Sequence, residues 1–504
     1  MARKISGKIL VEANMTAQTP ICIGGMGAGD AVDLEIMVNG KDKPFIPGTS
    51  LMGPMRAWFE QRLDRKNKTL AEVVFGYQEE DKGQASFLLV EDAELKLPGD
   101  LAREIRDGIG IDSHTGVAEE GKKFTRAVLP RGTSFTLKLE LDVPKVVQRY
   151  ARKGNNENRK EYEPKEFAGA LRLLLEHLRD DGLRVGASKT RGLGKLGASD
   201  IKAAWYKFPD DLDAWLNQKE MRAFSEVLKN DAEAPTPEFK DHAFLDIRIE
   251  WKPISPVMVK SGADGGIADM LPLVSGYESG KVAPVIPGSS VKGVLRARAE
   301  KILRTLKGDL PEDRPDFLSE DLFGSTEAAG RLFVDDTYQK DNQISAQDWI
   351  AETPKVMNDA TDHHDHVAID RFTGGASDSA LFNDRTPKRG KAWQPINIRV
   401  DFARHKVKMV DGEIKTEELT ENEKYRAAAL VLLLLRDMQA GWIPLGFGSC
   451  RGMGEIEVKK IKINGKVDGE SFNGDTLEQA MGKAALQTAW RTFVNGEGNN
   501  NNGN

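Results

Sequence analysis

Apolar and polar positions along the chain fall into two nearly matching series. Residues 244–251 alternate after the first position, with Leu245, Ile247, Ile249 and Trp251 on one side. This is the period-two pattern of a strand with one buried face. Residues 8–13 have the same strand character. Each strand leads into a loop that opens Pro20-Ile21-Cys22-Ile23 or Pro256-Val257-Met258-Val259. An amphipathic helix comes next, carried by Leu51, Met55, Trp58, Phe59 and Leu63 in one series and by Val291, Leu295, Ile302 and Leu306 in the other. Strands are predicted at 86–92 and 331–336, and again at 132–141 and 396–402. Second helices are predicted over 165–178 and 422–438, and the apolar run 427–435 marks the latter as buried. Each series then reaches a glycine-rich loop, and a strand at 454–463 follows the second loop. Strand, helix, strands, helix, loop and strand predict a ferredoxin-like α+β unit, here in tandem. Residues 205–229 have the pattern of a further amphipathic helix.

Four segments recur in the same order, so the chain is a duplication. Phe45-Ile46-Pro47-Gly48-Thr49-Ser50-Leu51-Met52-Gly53-Pro54-Met55-Arg56 returns as Val285-Ile286-Pro287-Gly288-Ser289-Ser290-Val291-Lys292-Gly293-Val294-Leu295-Arg296. Phe75-Gly76 returns as Phe323-Gly324, each ahead of a strand. Ile111-Asp112-Ser113-His114-Thr115-Gly116 returns as Ile369-Asp370-Arg371-Phe372-Thr373-Gly374, and Arg191-Gly192-Leu193-Gly194 as Arg451-Gly452-Met453-Gly454. The separation grows along the chain, so the second copy carries loop insertions. The units are assigned to 1–230 and 242–494, with a linker over 231–241 and a Gly/Asn-rich, disordered tail over 495–504.

The first repeated segment carries candidate chemistry. Thr49 or Ser50, and Ser289 or Ser290, are placed to cap a helix N-terminus. A glycine-led helix start is also an anion site. Gly53 and Gly293 leave room for a close backbone, and Arg56 and Arg296 lie three residues on, on the same face. Lys189, Arg191 and Arg451 bring charge to the glycine loops. The loops lack P-loop spacing, and the glycines at 24–29 lack the spacing and the helix of a dinucleotide fingerprint.

Composition narrows the picture further. The net charge of −6, with 30% charged residues, disfavours a protein that coats nucleic acid by bulk charge, so any binding has to come from local basic grooves. Two cysteines make neither a disulfide framework nor a zinc quartet and fit a reducing cytoplasm. There is no signal-peptide pattern and no membrane-length apolar run. His363, His364 and His366, beside Asp362 and Asp365, pose a metal-site question in one loop without a counterpart in the first unit.

Together the four repeated segments resemble the RAMP superfamily of CRISPR-associated proteins, and within it the repeated backbone subunit of type III effector complexes. A fusion of two such units resembles the double-backbone subunit of subtype III-D. The resemblance implies a cytoplasmic protein whose partners are a CRISPR guide RNA, a target single-stranded RNA and other type III effector subunits. It implies thumb hairpins at 111–124 and 367–384, with Phe372 and Phe382 wedging beside flipped bases. It implies catalytic, magnesium-binding aspartates in the loops before the repeated helices, Asp33 and Asp269, with Asp30 and Asp264 as alternatives in register. The RNA-binding set is Ser50, Arg56, Lys189, Arg191, Ser290, Lys292, Arg296 and Arg451. The expected activity is metal-dependent endoribonuclease cleavage of guide-paired RNA, one cut per unit. A guide-binding scaffold that does not cut is the alternative. A free-standing guide-processing ribonuclease is disfavoured, because none of the seven histidines is duplicated in register.

Overall fold

The computed structural model describes residues 4–25, 32–63, 68–79, 82–99, 103–112, 115–150, 159–217, 220–229, 234–237, 242–262, 266–278, 280–307, 317–326, 328–404, 406–410 and 413–495. Asp30, Asp264, most of the linker and the tail from 496 onward lie outside them.

In the first half, β1 (Ile5–Ala17) is followed by α1 (Gly48–Arg62), β2 (Leu88–Val90), β3 (Ser134–Pro144), α2 (Pro164–Asp180) and β4 (Lys195–Lys207). The sheet order is β4-β1-β3-β2, all antiparallel. The second half repeats this with β5 (Phe244–Pro253), α3 (Gly288–Lys307), β6 (Leu332–Val334), β7 (Ile396–Asp401), α4 (Glu421–Gln439) and β8 (Ile456–Val467), in the order β8-β5-β7-β6. Both halves therefore have the ferredoxin-like topology that the order of elements predicts.

Alternation fixes the sheet faces. Ile9, Val11, Ala13 and Met15 are buried along β1 and sit opposite Leu141, Leu139, Leu137 and Phe135 of β3. A one-residue slip would turn that whole row to solvent. In the second half, Leu245, Ile247 and Ile249 face Val400, Ile398 and Ile396. α4 closes this core with Ala427, Ala428, Leu430, Val431, Leu432, Leu434 and Leu435 all buried. Its N-terminus is fixed by a capping box, Thr420 with Glu423. Leu430 is fully buried, so Leu430→Ala is expected to cost about 2–5 kcal/mol. Denaturant unfolding of the full chain measures it, with the loss in the transition that reports the second half.

Three sequence expectations change. The pattern at 205–229 is not one helix. β4 continues to Lys207, because Trp205 and Tyr206 pair with Ile9 and Lys8 of β1. Short helices follow at Leu212–Leu216 and Phe224–Val227. Tertiary pairing overrides local periodicity here. The thumbs also begin earlier than expected, as the hairpins Glu104–Ile111/Ala118–Val128 and Thr361–Ile369/Ala376–Pro387. The histidine triplet accordingly lies on a thumb strand, not in a loop before it.

Residues 234–237 are held to the first half. Arg172 of α2, almost fully buried, donates to the Ala234 carbonyl at 3.2 Å and to the Thr236 hydroxyl at 2.6 Å.

Candidate nucleic-acid interface

Each thumb is a long, solvent-facing hairpin with exposed apolar side chains. They are Ile105, Ile109, Ile111 and Val117 on the first, and Val367, Ile369, Phe372 and Leu381 on the second. The repeated Ile-Asp segment forms both tips by the same turn. Asp112 accepts from Thr115 at 3.0 Å, and Asp370 accepts from Thr373 at 3.0 Å. Phe372, at the second tip, is fully exposed. Phe382 is not at the tip. It stacks on His366 at 4.9 Å near the hairpin's base, with the Arg451 guanidinium 5.4 Å from its ring.

The two aspartates singled out by their loops occupy one structural position. Asp33 Oδ2 accepts from the backbone N–H of Thr125 at 2.6 Å and from its hydroxyl at 3.0 Å. Asp269 Oδ2 accepts from the backbone N–H of Asn383 at 2.8 Å, while Asn383 Oδ1 accepts from the Asp269 N–H at 3.0 Å. Thr125 and Asn383 are matched positions, next to the matched aromatics Phe124 and Phe382 on the returning thumb strands. In each half, a glycine-loop aspartate is thus clasped to the thumb. The N–H and hydroxyl of Thr125 hold the Asp33 carboxyl below the usual carboxylate range, so it is ionised at neutral pH.

Among the described residues, no donor is found on the second oxygen of either carboxylate, and no group of three or more His, Cys, Asp or Glu is placed to hold a metal. The histidines turn to separate partners: His363 to Asp365, His364 to Thr386, His366 to Asp384. One free carboxylate oxygen per half fits magnesium, which is commonly bound through one or two carboxylates, its own waters and substrate phosphates.

The repeated helices do not begin as expected. Thr49, Ser50, Ser289 and Ser290 lie inside the first turn, and the free N–H is capped from the following strand. Gly48 N–H donates to Asp92 at 2.7 Å and Gly288 N–H to Asp336 at 2.8 Å. A carboxylate of the chain itself therefore occupies the anion site predicted at each helix N-terminus. The duplicated arginines also act alike. Arg56 bonds Glu60 and the Gly76 carbonyl at 2.7 and 3.1 Å, and Arg296 bonds Glu300 and the Gly324 carbonyl at 2.8 and 3.1 Å. This explains the coupling of Phe-Gly to Gly-x-x-Arg in the repeat. A Cβ on Gly53 or Gly293 would meet nothing within 4 Å, so this flank of each helix is open.

The glycine loop of the first half packs on the helix start of the second. Lys189–Arg191 forms one 3-10 turn between left-handed Ser188 and Gly192. A Cβ at Gly192 would lie 2.0 Å from Asp336 Oδ1 and 2.9 Å from the Gly288 nitrogen. Gly192→Ala is expected to open this junction and to destabilise the chain by roughly 1–3 kcal/mol. Faster proteolysis between the halves and a lower melting temperature are the readouts.

Ion pairs seal the same junction. Asp335 accepts from Arg184 and from Lys195, the latter at 3.1 Å, and Asp336 accepts from Arg106 at 3.2 Å. Burial raises the Asp335 carboxyl, but Arg184 and Lys195 outweigh it and hold it below the ordinary value. Burial pushes Asp336 up to about 6 against Arg106 and the Gly288 N–H.

Beside the junction lies a cationic cluster. Lys292 is buried and donates to the Leu332 carbonyl at 2.8 Å. Burial, then Arg191, Arg404 and Arg296, push its ammonium down to about 7. Lys189 is lowered by burial and by Arg404. Arg191 stands exposed at its edge. The structure thus brings together Lys189, Arg191, Lys292 and Arg296 from the expected set, and adds Arg404, which no repeated motif marks. Arg451 lies apart, at the base of the second thumb. The capping aspartates were visible as the acidic ends of the duplicated strands, 86–92 and 331–336.

A model of the RAMP superfamily matches residues 14–196 and again 252–457. The chain belongs to the RAMP superfamily. No protein of curated function matches it. Each matched region runs from the end of its half's first sheet strand to the start of its last and spans the helices and thumb between them, so both halves match the family. RAMP membership implies a subunit of a CRISPR RNA–protein complex with other subunits. No helix among the described residues is long and apolar enough to cross a membrane.

Proposed function

We propose that the protein is the guide-RNA-binding double-backbone subunit of a cytoplasmic type III CRISPR effector, of the III-D kind, and that it cuts guide-paired target RNA once in each half. The observation that carries this reading is the matched clasp of Asp33 by Thr125 and of Asp269 by Asn383 at the bases of the two thumbs. The thumbs are long enough, and apolar enough at their surfaces, to part stacked bases and splay the nucleotide between them. A carboxylate fixed at the thumb's base then stands where the backbone of a displaced nucleotide passes. Its free oxygen accepts a hydrogen bond from the 2′-hydroxyl and orients it toward the adjacent phosphorus. The 2′-oxygen forms the new bond to phosphorus as the bond to the 5′-oxygen breaks. The 2′-hydroxyl proton goes to solvent, and the leaving oxygen takes one from it. A bound magnesium ion supplies neutralisation of the charge that develops on the phosphate.

Guide phosphates are assigned to the cationic cluster of Lys189, Arg191, Lys292 and Arg296, to Arg451, and to the open helix flanks where Ser50, Ser290 and Arg56 lie. Base pairing carries sequence recognition while the protein reads backbone and shape. A cleavage map of a guide-matched RNA incubated with the purified complex tests the proposal. Two boundaries at thumb-spaced positions support it. Intact RNA that stays bound leaves a guide-holding scaffold.

A further inference from the structure

The junction inside this chain has two free counterparts, one at each end, and their charges differ. The face of the second half that is covered by the first comprises Phe333, Asp335 and Asp336 beside Gly288. Phe333 is 9% exposed, with Arg184 of the first half 5.4 Å from its ring and Arg404 of its own half at 5.1 Å. The matched face of the first half comprises Leu89, Glu91 and Asp92 beside Gly48. The match is geometric: Asp92 and Asp336 cap the same helix N–H, and a Cβ at Gly48 or Gly288 would meet the carbonyl of Val90 or Val334 at the same 2.1 Å. This face is open. Leu89 is 56% exposed, and Glu91 and Asp92 are exposed without a cation partner among the described residues.

The opposite surface is duplicated too. Val185 and Leu445 donate to the carbonyls of Gly194 and Gly454, and Gly194 and Gly454 donate to those of Pro20 and Pro256. That register sets Arg184 against Pro444 and Lys195 against Glu455. The thumb register sets Arg106 against His364. A Cβ at Gly452, unlike one at Gly192, would meet nothing. The free loop edge of the second half is therefore open but lacks the two cations that neutralise Asp335, and puts a carboxylate in place of one.

We propose that the Leu89–Glu91–Asp92 face is a docking surface for another ferredoxin-like domain whose glycine-loop edge carries Arg and Lys, and that a second copy of this chain is excluded from it. In a copy-on-copy stack, Glu455 would face Glu91, and no guanidinium would cover Leu89. Like charges at a shared contact repel, and the acidic pair would be buried without partners. The neighbour at this end is therefore a different chain, and the fusion terminates its own repeat after two units. This holds whether or not the chain cuts RNA.

The chain itself supplies the probe. Pro444 and Glu455 are exposed, so Pro444→Arg with Glu455→Lys rebuilds the missing cations without touching a core. By sedimentation velocity across the micromolar range at low salt, the unaltered chain is expected to stay monomeric. The double variant is expected to form dimers and longer species, and to fall back to monomer when Glu91→Lys is added. Self-association of the unaltered chain that Glu91→Lys abolishes would overturn the exclusion. A double variant that melts like the parent yet stays monomeric, or associates regardless of Glu91→Lys, would overturn the assignment of the face.

Discussion

Asp33→Ala is expected to erase one product boundary in a guide-paired RNA and leave the other, and Asp269→Ala to do the reverse. Each lost cut should slow by roughly 10²–10³-fold, the usual effect of removing one preorganised group that acts on the transition state. Independence follows from the geometry. The clasp in each half uses that half's own thumb, Thr125 for Asp33 and Asn383 for Asp269. Target binding should survive both substitutions, since base pairing and the basic groove carry it, and loss of a carboxylate lowers repulsion with RNA. The clasp complicates the alanine variants, because the thumb loses an anchor with the carboxylate. Asp33→Asn and Asp269→Asn keep a side-chain oxygen to accept the thumb N–H and remove only the charge. They are expected to lose the cut while the thumb remains protected from proteolysis. Chelation of divalent ions is expected to stop both cuts together. Loss of both cuts from one substitution would break the claim of independence. Full cutting by the doubly substituted complex would remove the aspartates and restore the scaffold reading.

The fold was legible because the chain announces it twice, once in each half. Alternation in 244–251 and helical spacing in 51–63 each predict an element, and the duplicate checks the assignment. Asp33 and Asp269 came from the family resemblance and not from periodicity; the structure gives them one matched position on the two thumbs, and their role is the proposal. What the pattern missed is what happens between the copies. Motifs compared copy by copy carry no sign that the loop at Gly192 packs on the helix that starts at Gly288, or that Asp335 gathers Arg184 and Lys195 from the other half. Seen as a motif, Lys292 is a basic residue on a helix that begins at an anion site. Burial makes it something else, an ammonium with one carbonyl partner and cations around it. Thr49 and Ser289 have the right chemistry for caps, but the helix begins one residue earlier, at glycine, so the carboxylate of the next strand takes the role. The stretch at 205–229 failed for a different reason. Its apolar spacing suits a helix, yet pairing along β1 offers Trp205 and Tyr206 a ladder that an isolated helix does not.

Lys292 yields the second large effect, because its titration couples folding to RNA. Its folded pKa, about 7, lies below the ordinary 10.5. The native chain therefore binds fewer protons than the unfolded chain between these values. The stability associated with Lys292 is present above the unfolded pKa and is lost as pH falls through about 7. Lys292→Met, which keeps a side chain of similar length without the charge, is expected to raise the melting temperature of the RNA-free chain at neutral pH and to flatten its rise toward alkaline pH. RNA reverses the balance. A phosphate beside Arg191 and Lys292 favours the ammonium and raises its pKa, so binding takes up a proton in the range above about 7. Affinity for a guide-length RNA is then expected to fall with rising pH from about 7 to about 9, by up to about tenfold per unit. Lys292→Met should bind more weakly near neutrality and lose that slope. Arg191→Gln, which removes an exposed cation of the same cluster and leaves Lys292 in place, should weaken binding, lower its salt dependence and keep the pH slope. A slope that persists in Lys292→Met would assign the proton to another group. A flat profile in the unaltered chain would mean that no phosphate comes near Lys292, and the guide would have to be placed elsewhere on the two thumbs and helix flanks.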